Sequence, residues 1–391
     1  MLSFVLLLVC AGVGAAVNDV SEGDFPDVVH KHKCMIFWVV QDHCDRCSLL
    51  YHSFLTAAQS FRYEKELFFG RVSDQALAHA FEVTEFPSLV YYEYGSVVPR
   101  VYLGDITSKT VAKVVADAMR RDSRKVDQTF ALDLTLDIYD VVIGTRDQFR
   151  LIMLHEANDD DNVAAYDELA ETFDNEPTVV IAKINVDFEK KLKRNFNAIA
   201  YPSFYWFKKG SDTKLRYGGD LNVDHMIAFI NKEAGLFRTK GGRLNPYAGL
   251  IPEFDEILNA HGRDLHEIRN FDTIRMKLTR AWKSLPTHVD HELIEFYYEM
   301  LANMEEDRTI ETLDEARNRL YRQMPDVGPL GFDALIRKRN IVQKFIDIIG
   351  THLLEQLSHG DFGAPIRGFE DVHDKAKLKQ FDHDIEFHEE L

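Results

Sequence analysis

Phe81-Glu82-Val83-Thr84-Glu85-Phe86-Pro87-Ser88-Leu89-Val90-Tyr91-Tyr92 has a second version further along the chain. It reads Phe196-Asn197-Ala198-Ile199-Ala200-Tyr201-Pro202-Ser203-Phe204-Tyr205-Trp206-Phe207. Each version sets an aromatic-Pro-Ser step ahead of an apolar run with strand character. The same register pairs Gly95 with Gly210. It also pairs Tyr102-Leu103-Gly104-Asp105 with Tyr217-Gly218-Gly219-Asp220. One offset holding from residue 81 to residue 105 implies two copies of one unit. Their expected spans are 17–122 and 128–236.

Within each copy the order reads strand, helix, strand, helix, then Pro-strand, Gly turn, strand and helix. Alternating strands and helices predict an α/β sandwich. In copy two, residues Val179 to Asp187 form a strand, Lys191 to Phe196 end a short helix, and Asp224 to Ala234 form the last helix, with Gly235 as its C-cap. Phe204 and Trp206 share one face of the Pro-strand and are expected in the core. Tyr201, beside the proline, is the better candidate for contact with a peptide.

Copy one carries His43-Cys44-Asp45-Arg46-Cys47-Ser48 between two opposite patterns. Before it, Cys34 to Val40 is a continuous apolar run, a buried strand. After it, Leu50, Phe54, Ala57, Ala58 and Phe61 recur at helical spacing. Strand, turn, CxxC and helix place a cysteine at a helix N-terminus. Free N–H groups and the positive end of the helix dipole there favour the thiolate, the nucleophile of disulfide exchange. The second cysteine is three residues on, within reach of the first. An inert disulfide is the plain alternative. Half of a zinc site is another, but zinc takes four N or S ligands and there is no second CxxC, so no metal and no cofactor are expected. Cys34, in the strand, is expected to be buried and inert.

The net charge of −18, from 64 acidic and 46 basic residues, argues against a general nucleic-acid binder. Residues 1–16 read as a secretory signal peptide: Leu2 to Val13 are nearly all apolar and are followed by Gly14-Ala15-Ala16. No later apolar run is long enough to span a bilayer, so no membrane insertion is expected. The chain ends His388-Glu389-Glu390-Leu391, a variant of the retrieval signal read by a receptor of the endoplasmic reticulum. Together the two signals predict a lumenal location.

Phe237 to Pro246 reads as a basic Gly/Pro linker. Beyond it the strand signals vanish. Helical stripes run through Leu293 to Leu301, Ile310 to Leu320 and Leu335 to Leu353, with further helices near 248–260 and 269–283. These define a helical domain at 247–358, followed by an acidic tail at 359–391 that is expected to be flexible.

Both copies resemble thioredoxin domains, and the whole resembles the protein disulfide isomerase family. The resemblance rests on Cys44 and Cys47 at a helix start, Phe86-Pro87 and Tyr201-Pro202, Gly95 and Gly210, and the Lys183-Ile184-Asn185-Val186-Asp187 strand. The helical domain resembles the all-helical C-terminal domain of some members and of small noncatalytic thioredoxin-like chaperones. The resemblance implies a thioredoxin-like sandwich in two tandem copies followed by an all-α domain. It implies cis peptide bonds at Phe86-Pro87 and Tyr201-Pro202, lying beside the CxxC position and pairing with substrate strands. It also implies a thiol–disulfide oxidoreductase or isomerase of the endoplasmic reticulum lumen, with Cys44 as nucleophile and Cys47 as resolving cysteine. Its partners would be unfolded or disulfide-containing secretory polypeptides.

The chain departs from that pattern at several points. His43 replaces a tryptophan. Arg46 between the cysteines favours the thiolate, and Asp45 opposes it. The buried carboxylate expected six residues before the first cysteine is Trp38, or Ile36 if the aromatic pair sets the register. The arginine expected after the Tyr-x-Gly turn is Asp105. These residues predict preserved exchange with slow turnover. Copy two has no cysteine in the window 155–162 and is expected to be redox-inactive. Its acids there suggest a solvated loop, or weak calcium binding. A noncatalytic or weakly redox-active chaperone or escort is the alternative reading of the whole.

Overall fold

A computed structural model of the chain describes residues 17–219, 221–286 and 289–358. The expected signal peptide, Asp220 and the tail with its retrieval signal lie outside the described residues. The described chain divides into two compact units. One runs to Ala248 and takes in Gly328–Asp333; the other comprises Gly249–Val327 and the chain from Ala334 onward.

The first unit holds both copies. Copy one has β1 (Asn18–Asp19), α1 (Phe25–Lys31), β2 (Cys34–Val39), α2 (Asp45–Ser60), β3 (Leu67–Val72), α3 (Gln75–Ala80), β4 (Ser88–Tyr92), β5 (Arg100–Tyr102) and α4 (Ser108–Ala118). Its sheet order is β1-β3-β2-β4-β5, with β2 parallel to β3 and antiparallel to β4. Copy two repeats this with β6 (Leu132–Asp133), α5 (Leu136–Gly144), β7 (Phe149–His155), α6 (Asp160–Thr172), β8 (Val179–Asn185), α7 (Lys190–Phe196), β9 (Ser203–Phe207), β10 (Leu215–Arg216) and α8 (Val223–Ala234). Its order, β6-β8-β7-β9-β10, is the same. Each is a thioredoxin-like α/β sandwich.

Apolar side chains cover both faces of each sheet. In copy one, Ile36 and Trp38 face α2 and α4, while Met35, Phe37 and Val39 face the opposite cluster around Phe81 and Tyr92. In copy two, Leu151 and Met153 take one face, and Ile152 and Leu154 the other. A strand covered on both sides has no exposed phase. This is why Tyr205 and Phe207 are as buried as Phe204 and Trp206, and why no side chain of β9 lines a groove. The Tyr205 hydroxyl donates to the Phe196 carbonyl at 2.9 Å.

The repeated glycines have physical causes. Gly95 and Gly210 both take positive φ, 75° and 78°, in the turns after β4 and β9. Gly104 and Gly219 each sit against the hydroxyl of the tyrosine two residues earlier, where a Cβ would collide. The two copies are joined by side chains of α2. Gln59 donates to the Asp133 carbonyl and accepts from the Asp133 N–H, both at 2.8 Å, and Leu55 enters the core of copy two.

The segment expected as a linker is folded. Thr239 N–H donates to the Arg243 carbonyl, and Arg238 pairs with Leu244 in an isolated bridge. Arg238 is fully buried. Its Nε donates to Glu176 at 2.7 Å, and its other nitrogens donate to Asp333 and to the Gly242 carbonyl. An arginine inside a Gly-rich run looks like a solvated charge in the sequence. Here two distant carboxylates claim it.

The second unit is all helix: α9 (Pro252–Ala260), α10 (Gly262–His266), α11 (Phe271–Trp282), α12 (His291–Asp307), α13 (Glu311–Gln323) and most of α14 (Pro329–Ser358). Its core gathers Phe254, Ile274, Tyr297, Met300, Leu313 and Phe345. No described helix is long and apolar enough to cross a membrane.

Candidate active site

Cys44 is the N-cap of α2. Its backbone is extended, and its Sγ accepts from the Cys47 N–H at 3.0 Å. Cys44 and Cys47 are joined in a disulfide, with Cα atoms 5.2 Å apart. Cys44 is half-buried and Cys47 is buried, so Cys44 presents the sulfur that another molecule can reach. His43 makes the turn from β2 into α2 with a φ of 56°, a left-handed conformation uncommon for a residue with a side chain. His43, Asp45 and Arg46 are all exposed.

Beneath the disulfide the site is apolar. Trp38 is fully buried, stacked on Phe54 at 5.5 Å and on Tyr51 at 6.3 Å, in a cluster that includes Cys47, Leu50 and Ile36. In either register the position expected for a proton-accepting carboxylate is filled by this packing. Asp105 has a partner of its own: its Oδ2 accepts from the Leu330 N–H at 2.9 Å, in the first turn of α14. Nothing local in the sequence announces that contact. Cys34 is buried, and burial pushes its thiol up to about 12.

Phe86-Pro87 and Tyr201-Pro202 are both cis. Phe86 packs against the cluster that contains Cys47. Tyr201 is half-buried. Its hydroxyl is enclosed without a hydrogen-bond partner, and the Lys193 ammonium lies 5.0 Å from its ring centre. Any contact made by Tyr201 is therefore through its ring.

The strand registers show what copy two carries in place of the cysteines. Met35 pairs with Tyr92 as Arg150 pairs with Phe207. The same interval carries Pro87 to Pro202, Cys44 to Asp159 and Cys47 to Asn162. Asp159 is the N-cap of α6, and Asn162 Nδ2 donates to its Oδ1 at 2.5 Å. Asp187 accepts from the Ala157 N–H at 2.8 Å. The acidic window is thus a hydrogen-bonded helix start. Among the described residues no group of three or more His, Cys, Asp or Glu side chains converges to hold a metal.

His52 has no signal in the sequence. It lies on α2 against copy two, its Nδ1 near the Leu49 carbonyl at 3.0 Å and Gln148 Nε2 at 3.1 Å. Burial pulls its pKa down to about 4.

The comparisons with known proteins agree with this geometry. The thioredoxin family pattern matches residues 163–232, within copy two. The protein disulfide-isomerase erp38 of Neurospora crassa is 26% identical over 91% of this chain and 99% of its own. The protein disulfide-isomerase tigA of Aspergillus niger is 25% identical over 87% and 96%. Protein disulfide-isomerase 1 of Dictyostelium discoideum is 24% identical over 88% and 96%. Among solved structures, human ERp44 aligns over 57% of each chain at 15% identity with a TM-score of 0.24, too slight a likeness to carry an argument. Two thioredoxin-like copies, a CxxC disulfide at a helix start and relatives matched over nearly their whole length make the chain similar, end to end, to protein disulfide isomerases.

Proposed function

We propose that the protein is a thiol–disulfide oxidoreductase and isomerase of secretory polypeptides, working in the lumen of the endoplasmic reticulum. The observation that carries this reading is the Cys44–Cys47 disulfide at the N-terminus of α2, with Cys44 the more exposed residue of the two. In the reducing direction the Cys44 thiolate attacks one sulfur of a client disulfide. That S–S bond breaks, a mixed disulfide forms, and the other client sulfur leaves as thiolate. The Cys47 thiolate then attacks Cys44 Sγ. The mixed disulfide breaks, the Cys44–Cys47 disulfide forms, and the client is left with two thiols. The client gains two electrons and the protein loses two; the oxidising direction is the reverse. Isomerisation is the first attack followed by expulsion of Cys44 by another client thiol.

His43 and Arg46 are the exposed groups that tune the pair, and Phe86-Pro87 is the backbone edge beside it. The Cys47 proton has no buried carboxylate in place of Trp38 to accept it, so water or His43 takes it and turnover is slow. The packed Trp38 and the Asp159–Asn162 pair favour a second reading, a weakly redox-active escort that holds its clients. Retrieval would depend on His388, Glu389, Glu390 and Leu391.

Refolding of a scrambled disulfide protein separates the two. The wild type should restore activity to the client, and Cys44→Ala should fall to the rate of redox buffer alone. Equal rates for both proteins would overturn the catalytic reading.

A further inference from the structure

Helix α7 differs sharply from its counterpart α3. In copy one the helix reads Gln75-Ala76-Leu77-Ala78-His79-Ala80. At the same positions copy two reads Lys190-Lys191-Leu192-Lys193-Arg194-Asn195. Four cations are thus gathered in one helix of a chain whose net charge is −18. Leu192 and Phe196 anchor α7 in the core, as Leu77 and Ala78 anchor α3. Among the described residues none of the four cations has a carboxylate partner. The nearby acids have other partners: Asp187 takes the Ala157 N–H and Glu189 the Leu136 N–H.

The cations also have a shape to act in. Lys190, Lys193, Arg194 and Asn197 follow the spacing of one helix face. With Val186, Ala198 and one acid, Asp187, whose carboxylate takes the Ala157 N–H, they line an open depression of about 440 Å³. Lys193 reaches from it over the Tyr201 ring, beside the cis proline. Ile199 and Phe188, 90% and 77% exposed, lie next to the depression in the chain and are the most exposed large apolar side chains of copy two. Cations without carboxylate partners, a concave floor and bare apolar side chains together are complementary to an extended acidic polypeptide that carries aromatic or aliphatic residues.

We infer that copy two binds acidic, hydrophobic-bearing segments of client polypeptides in the depression lined by Lys190, Lys193 and Arg194, beside Tyr201-Pro202. The inference rests on the reading of the clients as polypeptides, and adds which part of them the cysteine-free copy holds. Binding there needs no thiol chemistry. A loss of binding with exchange intact, or the converse, therefore identifies which of the two readings has failed.

The test uses the full chain and fluorescence anisotropy of a labelled peptide built of Asp, Glu, Leu and Phe. Its control is the same peptide with Lys in place of the acids. The acidic peptide should bind and the basic one should not. Added salt should weaken binding, as it does for exposed charges. Lys190→Glu/Lys193→Glu/Arg194→Glu should weaken binding about tenfold or more, while Cys44→Ala should bind like wild type. If the reversal disturbs the fold by circular dichroism, Lys190→Gln/Arg194→Gln tests the same face with a smaller loss. Equal binding of the two peptides, or unchanged affinity in a folded variant, would overturn the inference. So would displacement of the peptide by phosphatidylserine vesicles at concentrations where the peptide binds only weakly, which would assign the face to a lipid surface.

Discussion

Cys44 and Asp159 stand at the same point of the same fold, three residues ahead of Cys47 and Asn162. Copy one closes that point with a disulfide, and copy two with an Asn–Asp hydrogen bond. The two helix starts share a buried strand before, a helix after and a cis proline beside. Chemistry is therefore separable from scaffold here. The helix N-terminus that carries Cys44 in copy one carries Asp159 in copy two. Copy two, without cysteines at that point, also presents a different surface, with α7 basic where α3 is neutral.

The first prediction tests whether the cysteines are all that copy two lacks. In a Cys44→Ser/Cys47→Ser background, Asp159→Cys/Asn162→Cys should form a disulfide in glutathione disulfide, removing both reactive thiols in a thiol titration. Persistence of both thiols would break the equivalence. It would point to the His43 turn, whose left-handed backbone has no counterpart at Asn158, as the missing part.

A second contrast lies in how ion pairs are used. Arg121 of copy one holds Glu64 at the surface, whereas Arg238 is sealed between Glu176 of copy two and Asp333. Removing a buried partner leaves charges without compensation. Arg238→Ala should lower stability by about 3–5 kcal/mol, read as a shifted urea midpoint in circular dichroism. Arg121→Ala should cost about 1 kcal/mol or less. Similar losses for both would erase the distinction.

The smallest effect concerns the seam between the copies. His52 is held neutral by burial, with a pKa of about 4. Below about pH 6.5 the unfolded chain takes up a proton that the folded chain refuses. Stability is then lost as pH falls from about 6.5 to 4, and the loss is complete below 4. The loss should be about 2 kcal/mol, less than a fully sealed residue would show, because His52 is only half-buried. His52→Gln should flatten this part of the profile of stability against pH. A variant with the wild-type slope would remove His52 from the account.

Much of the fold was legible in the sequence because it depends on neighbours in sequence. The repeat around Phe86-Pro87 and Tyr201-Pro202, the strand-to-helix change at Cys44 and the stripes through Leu293 and Val342 are periodic signals that local geometry enforces. The stripes emerge as α12, α13 and α14, and Gly235 caps α8 at a φ of 69°. The reading of β9 was incomplete, because period two cannot reveal that both faces of a sheet are covered. The reading of Phe237 to Pro246 as a linker failed, because the carboxylates that bury Arg238 are remote in sequence.

The sequence by itself determined that there are two copies, which one carries cysteines, and that helices follow. Those properties are written in spacing and residue type. Only the tertiary structure decided the partners: Leu330 for Asp105, Gln148 for His52, Asn162 for Asp159, and an aromatic stack in the place of a proton acceptor. Each of these is a choice among many polar or apolar neighbours. It is settled by burial and hydrogen-bond satisfaction once the chain has closed on itself.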